Sequence, residues 1–354
     1  MTLVRTIRAA AVASLALGLW AGPALGQAPG KALTPVRLLS STYNPPRVQN
    51  MYYFAGLEGF FQKYGLALTV QQSPGSPSSL AAAVGGKAEF ASINMSTLAN
   101  AAAEGVKAKA IVIGNFDSPG EILSQPGIKT VKDLEGKTMA TSSIGTLEYT
   151  VARSYLRSQG VNVDKINWVA TQNSLNTVQV MKAGRADASW IEMPVVVKAL
   201  QIAPNLKVLV DAKAIAEVSP TSAGVVVVTD KFATEHADIV QAFVTAVIEA
   251  NRKMYTDRAF YDATVQKYMP DFYSKAQLDQ LYKAFRWSWG VNGGFKMAVL
   301  EDGLQNWKTS VNPKRAQNPY FSKLDQLVDT RFAAAAIKQL GKFEGALDNA
   351  DWLK

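Results

Sequence analysis

Two ten-residue stretches align without a gap: GKAEFASINM at 86–95 and GRADASWIEM at 184–193. Each carries glycine, a basic residue, alanine and an acidic residue, then a short apolar run ending in methionine. Upstream, KYGLALTV (63–70) faces SQGVNVDK (158–165), where a helical run meets glycine and then an extended segment. The matches keep one order at spacings of 98 and 95 residues. A chain that repeats itself over about a hundred residues builds two similar units, and this constrains the fold more than any composition value.

Within each unit the hydrophobic period alternates between that of a strand and that of a helix. The first unit reads as strand 36–40, helix 51–64 ended by Gly65, strand 66–71, helix 78–84, strand 90–93, helix 95–104 and strand 110–115. The second reads as strand 138–141, helix 147–159 capped by Gly160, strand 166–170, helix 175–183 and strand 188–191. This order predicts an α/β layer structure with a largely parallel sheet.

In open α/β sheets, ligands bind outside the carboxyl ends of the strands. In the first unit those ends carry Ser41, Thr42 and Tyr43, then Ser76, Ser78 and Ser79 of SPGSPSS, then Asn94, Ser96 and Thr97. In the second they carry Ser142, Ser143, Gly145 and Thr146 of TSSIGT, the stretch TQNS (171–174), and Trp190 and Glu192 of WIEMP. Hydroxyls at a helix start cap free backbone N–H groups, and the same helix start attracts an anion. Their concentration on matching faces of both units points to a shared binding cleft.

The N-terminus has the pattern of an export signal. Arg5 and Arg8 precede the uncharged run from Ala9 to Ala21, and Ala24-Leu25-Gly26 is a small-x-small cleavage site. Residues 1–26 are therefore expected to be removed, since a 13-residue apolar run is too short to span a bilayer. The chain has no cysteine, which excludes disulfides and a cysteine-linked lipid anchor. The net charge of +9 is spread along the sequence with no basic arm, so no nucleic-acid partner is expected. His236 is the only histidine, without a triad or metal-ligand pattern around it, and no phosphate loop or dinucleotide fingerprint occurs. The reading is thus of a protein without catalytic residues, metal or cofactor. In FRWSWGVNGGF (285–295), Trp287 and Trp289 would share a face on an extended segment. There they could pack between helices or form a stacking wall.

The stretches GLEGFFQKYGLALTV (56–70), GSPSSLAAAVGGKAEFA (75–91), GIKTVKDLEGKTMATSSIGT (127–146) and MKAGRADASWIEMP (181–194) carry a resemblance over about residues 35–345. The chain resembles the periplasmic substrate-binding proteins of ABC importers, in the group that binds aliphatic sulfonates, taurine, nitrate and thiamin-pyrimidine precursors. That resemblance implies the two-lobed periplasmic binding protein fold (type II): two similar α/β lobes joined by two hinge strands, with the ligand cleft between them. It places lobe one at 34–118 and 225–354, including the C-terminal helices, and lobe two at 119–224. The implied partners are a small-molecule ligand and the transmembrane subunits of an ABC permease, for a periplasmic, unanchored monomer. The helix starts favour an anionic or zwitterionic organic ligand such as a sulfonate. Glu192 opposes a bare anion such as nitrate, and leaves open a neutral or cationic heterocycle such as a thiamin-pyrimidine precursor.

Overall fold

The computed structural model describes residues 32–40, 48–116, 119–144, 146–218, 224–301, 304, 317–318, 323–348, 350 and 352–353. The expected leader, together with Ser41, Thr42, Tyr43 and Gly145, lies outside the described residues.

Among the described residues, ten strands alternate with helices: β1 (Thr34–Ser40), β2 (Leu66–Gln72), β3 (Phe90–Asn94), β4 (Ala108–Ile113), β5 (Gly120–Ser124), β6 (Thr138–Thr141), β7 (Asn167–Ala170), β8 (Ala188–Glu192), β9 (Lys207–Val210) and β10 (Gly224–Thr229). They form two five-stranded sheets, ordered β2-β1-β3-β10-β4 and β7-β6-β8-β5-β9. In the first, β1 runs parallel to β2 and β3, whereas β10 is antiparallel to β3 and β4. In the second, β6 runs parallel to β7 and β8, whereas β5 is antiparallel to β8 and β9. The largely parallel sheet read from the sequence is thus found in both lobes, with one reversed strand in each. The fourth strand of each sheet arrives by crossing from the other lobe, and it enters reversed.

The repeat has a physical cause in this topology. Gly65 and Gly160 end corresponding helices at φ +81° and +72°, and Gly86 and Gly184 do so at +71° and +69°. This is the left-handed conformation that glycine adopts without a Cβ penalty. The acidic residue of each repeat then stitches its strand to a neighbour. Glu89 accepts the Arg37 N–H at 2.6 Å, and Asp187 accepts the Thr138 N–H at 2.8 Å.

The helix read over 51–64 is two helices, Met51–Leu57 and Phe60–Lys63, because Gly59 turns the chain at φ +100°. Among the described residues no helix is long and apolar enough to cross a membrane.

Apolar burial holds the lobes. A large cluster includes Leu38, Phe90, Ile111, Val226 and Phe243 in the first lobe, and it continues through Leu123, Val196 and Val197 in the second. A smaller one fills the other face of the second sheet with Ile122, Met139, Val151 and Trp190. Helix Met193–Ile202 of lobe two packs on helix Lys275–Phe285, where the buried Gln277 donates to the Val197 carbonyl at 3.4 Å and to Gln201 at 3.3 Å.

Candidate functional site at the strand ends of the two lobes

Asn94 and Glu192, matched by the repeat, occupy the same structural position. Each ends its strand and sits at the N-cap of the next helix, Met95–Ala103 or Met193–Ile202. Asn94 pairs across the sheet with Gly224, the first residue of β10, and Glu192 pairs with Gly120, the first residue of β5. Each of the two residues therefore stands where the chain crosses between lobes.

The hydroxyls around them divide into internal ties and available groups. In lobe one, Ser79 is fully buried and hydrogen-bonded to Ser73 and the Gly75 carbonyl. In lobe two, 98 positions on, Thr177 bonds Thr171 at 2.6 Å and donates to the Asn173 carbonyl. The same knot closes both loops, and Ser79 is part of it. Its expected ligand contact is corrected to a structural one, since no surface of it reaches solvent. Ser78 and Ser96 are exposed. Thr97 is half-buried and lines a groove of about 600 Å³ between helices Ser76–Val84 and Met95–Ala103, beside Leu80 and Val84. Ser76 is brought to Asn94, accepting the Asn94 N–H on its Oγ at 3.3 Å.

In lobe two, TSSIGT folds back on itself. Thr146 is the N-cap of helix Leu147–Ser158, yet it makes no side-chain cap bond, and its hydroxyl donates instead to the Ser143 carbonyl at 2.7 Å. The Ser142 hydroxyl lies 3.5 Å from that of Thr146, and Ser143 is exposed. The Ser142 N–H is taken by Glu148, whose Oε2 accepts it at 2.8 Å, while its Oε1 accepts the Ser174 hydroxyl. Glu148 joins this cluster at the strand ends, and the sequence reading missed it. Its signal was a carboxylate in the first helical turn, which reads as an ordinary complement to the helix dipole. In effect the chain has placed its own anion at this helix start.

The aromatic walls are corrected. Trp190 is 2% exposed and belongs to the small core of lobe two, with its indole lying across Gly120. A Cβ on Gly120 would fall 2.3 Å from Trp190 Cζ2 and 2.8 Å from the Ile191 carbonyl oxygen, so the close approach requires glycine. The Trp190 indole N–H has no hydrogen-bond partner among the described residues. Trp287 and Trp289 do not share a face, because a 3₁₀ turn at Arg286–Ser288 rotates one away from the other. Trp289 is buried against Tyr261 and Tyr282, while Trp287 packs near Phe116.

Polar strand ends on two alike α/β sheets, each receiving one reversed strand from the other, define the two-lobed periplasmic binding protein fold. The profile of the NMT1/THI5-like family matches residues 49–258, and the chain belongs to that family. No curated protein sequence matches it. Among solved structures it is similar to the sulfonate ABC transporter periplasmic sulfonate-binding protein SsuA of Methylobacillus flagellatus KT. The identity is 18%, covering 89% of this chain and 97% of that one, with a TM-score of 0.68. The periplasmic aliphatic sulphonate binding protein SsuA of Escherichia coli is 17% identical over 85% and 92% of the two chains, with a TM-score of 0.61. The alkanesulfonate-binding protein SsuA of Xanthomonas axonopodis pv. citri, solved bound to MOPS, is 17% identical over 80% and 94%, with a TM-score of 0.54. At these identities the likeness establishes the fold.

Proposed function

We propose that this protein is the solute-binding component of an ABC importer, which closes its two lobes on a small zwitterionic organic ligand and delivers it to the membrane permease. The observation that carries this reading is the opposite polarity of two matched serines, Ser76 and Ser174, 98 positions apart. A serine hydroxyl is one donor and two acceptors. Ser76 accepts from the Asn94 N–H, which leaves its own proton to donate to an anionic group. Ser174 donates to Glu148, which leaves its lone pairs for an N–H group. The helices starting at Ser76 and Met95 carry no acidic residue in their first turn, whereas the lobe-two helices bring Glu148 and Glu192. An anionic head group is thus directed to lobe one and an amine to lobe two. MOPS, the molecule bound to the Xanthomonas protein, joins the same two groups.

The ligand set comprises Ser76, Asn94, Ser142, Ser174, Glu148 and Glu192, with Ser41, Thr42, Tyr43, Ser78, Ser96, Ser143, Gly145 and Thr146 at its margins. The mature protein works as a periplasmic monomer after cleavage near Gly26, with lobe one at 34–118 and 225–354, lobe two at 119–224, and no catalytic step. Closure follows from the ligand's higher affinity for the state in which both lobes touch it. A second reading, a cationic or neutral heterocycle such as a thiamin-pyrimidine precursor, is favoured by the two carboxylates alone. Thermal shift of the mature protein with taurine, butanesulfonate and an aminopyrimidine separates these readings, because a ligand that binds only the native state raises its melting temperature. Stabilisation by taurine but not by butanesulfonate is expected. A response to butanesulfonate of equal size would remove the amine from the reading, and a response to the pyrimidine alone would establish the second one.

A further inference from the structure

Behind the strand ends lies a second interlobe space. A crevice of about 340 Å³ opens between lobe two, which contributes Glu121, Met193, Leu200 and Asp211, and the C-terminal part of lobe one, which contributes Ala284 and Trp287. The lobe-one wall is anchored to its own lobe. Tyr282 bonds the carbonyls of Met254 and Tyr255, and Trp289 bridges to Asn115. One end of the crevice is pinned by Gln277 of helix Lys275–Phe285, which donates to the Val197 carbonyl of helix Met193–Ile202, and by Lys198, whose ammonium lies 4.8 Å from the Phe272 ring and 5.6 Å from that of Tyr273. Because the two walls belong to different lobes, any change in the interlobe angle changes the width and hydration of this space.

Glu121 faces it from β5, one residue after the crossing. The residue before it, Gly120, pairs with Glu192, so Glu121 sits immediately behind the proposed ligand face. The Glu121 carboxylate has no hydrogen-bond or ion-pair partner among the described residues. The charged groups around it do not compensate. Asp211, beside it, carries the same sign and accepts the Ala214 N–H at 2.8 Å. Lys213 on the lobe-two rim pairs with Glu217 at 3.8 Å, and Lys283 on the facing helix pairs with Asp279 at 2.7 Å; both lysines are exposed. Tyr155 approaches Asp211 from helix Leu147–Ser158 and stays neutral there. A carboxylate so placed is costly when the crevice is shut and dry, and cheaper when water enters.

We propose that Glu121 is a proton-operated brace on the hinge: protonated, it allows lobe two and helix Lys275–Phe285 to close on the crevice, and ionised, it holds them apart. Burial, with the Asp211 charge adding to it, pushes the Glu121 carboxyl up to about 7, so the switch falls within the neutral range. The brace works without any ligand, so it can be tested independently of the proposed ligand class.

The absence of cysteine in the natural sequence allows a unique pair of labels. Lys207→Cys on β9 and Ala276→Cys on helix Lys275–Phe285 are exposed and lie outside the crevice lining. Spin labels there report the interlobe distance by double electron–electron resonance in ligand-free protein. Between about pH 5.5 and about pH 8.5 the mean distance should increase, following a single titration. Its midpoint is expected near 7. Glu121→Gln should hold the short distance at every pH, and Asp211→Asn, which keeps the helix cap but removes the like charge, should move the midpoint down. A distance that does not change with pH in the parent protein overturns the proposal. So does an unchanged titration in Glu121→Gln, or an unmoved midpoint in Asp211→Asn.

Discussion

If Glu148 supplies the anion at the start of helix Leu147–Ser158, removing it should leave a vacancy that an external anion fills. Its two oxygens accept the Ser142 N–H and the Ser174 hydroxyl, and the group is half-buried. A charged hydrogen bond is worth about 1.5–3 kcal/mol when well buried, and the dipole interaction adds about 0.3–1 kcal/mol. Halving the first figure for solvent access, counting it for both bonds and adding the dipole interaction, Glu148→Ala should cost about 2–4 kcal/mol. Glu148→Gln keeps an acceptor for Ser142 and turns a donor toward Ser174, so it should cost about 1 kcal/mol. The assay is chemical denaturation of the parent and both variants in chloride and then in sulfate. Sulfate stabilises most proteins by exclusion from their surface, so the parent sets the baseline. Against that baseline only Glu148→Ala should gain, because only there are the Ser142 N–H and the helix start free to hold an oxyanion. Equal sulfate responses in all three proteins, or an alanine variant as stable as the parent, would refute the idea that the carboxylate fills an anion seat.

Three shorter predictions follow from the same geometry. Glu121 is disfavoured as an anion in the folded state, so the native protein loses stability as pH rises from the unfolded carboxyl value through about 7. Glu121→Gln should therefore be neutral near pH 4 and stabilising by about 2 kcal/mol at pH 8, read from urea midpoints, and no gain at pH 8 would contradict the desolvation argument. Gly120→Ala puts a Cβ against the Trp190 ring and the Ile191 carbonyl. It should cost about 1–3 kcal/mol in melting and change tryptophan emission, and unchanged values would mean the contact yields freely. Glu192→Gln should weaken taurine binding about tenfold by calorimetry while leaving or improving affinity for a bare alkanesulfonate; a loss shared equally by both ligands would place Glu192 outside charge recognition.

What the sequence made legible was whatever depends on local period or on the repeat. The helix over 147–158 and strand 138–141 follow from side-chain spacing and from hydroxyls before a helical run. The αL glycines follow from their place after helical segments. The direction of β10 did not, because an apolar run such as AGVVVV fits a buried strand of either sense. Ser79 and Ser76 were indistinguishable as letters. Only long-range pairing shows that one is tied to Ser73 and the other reaches Asn94. A trace of the knot does exist in the sequence, since Ser73–Ser79 and Thr171–Thr177 repeat a spacing of six at corresponding positions. The two tryptophans failed for a local reason. A single 3₁₀ turn breaks the two-residue period on which the shared face depended.

The departures from the repeat carry more functional information than the repeat itself. The duplicated features are the αL glycines, the carboxylate that stitches adjacent strands, and the hydroxyl knot, and each is needed to close a strand-loop-helix unit. A binding face that kept the duplication to the end would present the same groups from both lobes, which suits a symmetric ligand or one without fixed orientation. Here the matched positions diverge where that architecture imposes nothing: Asn94 against Glu192, and a serine that accepts in one lobe but donates in the other. On the proposed reading, a ligand with unlike ends gains only in one orientation, and reversing it sets its anion against Glu148 and Glu192. Such a cleft would discriminate by repulsion as much as by attraction, which is how one duplicated scaffold can select a directional ligand.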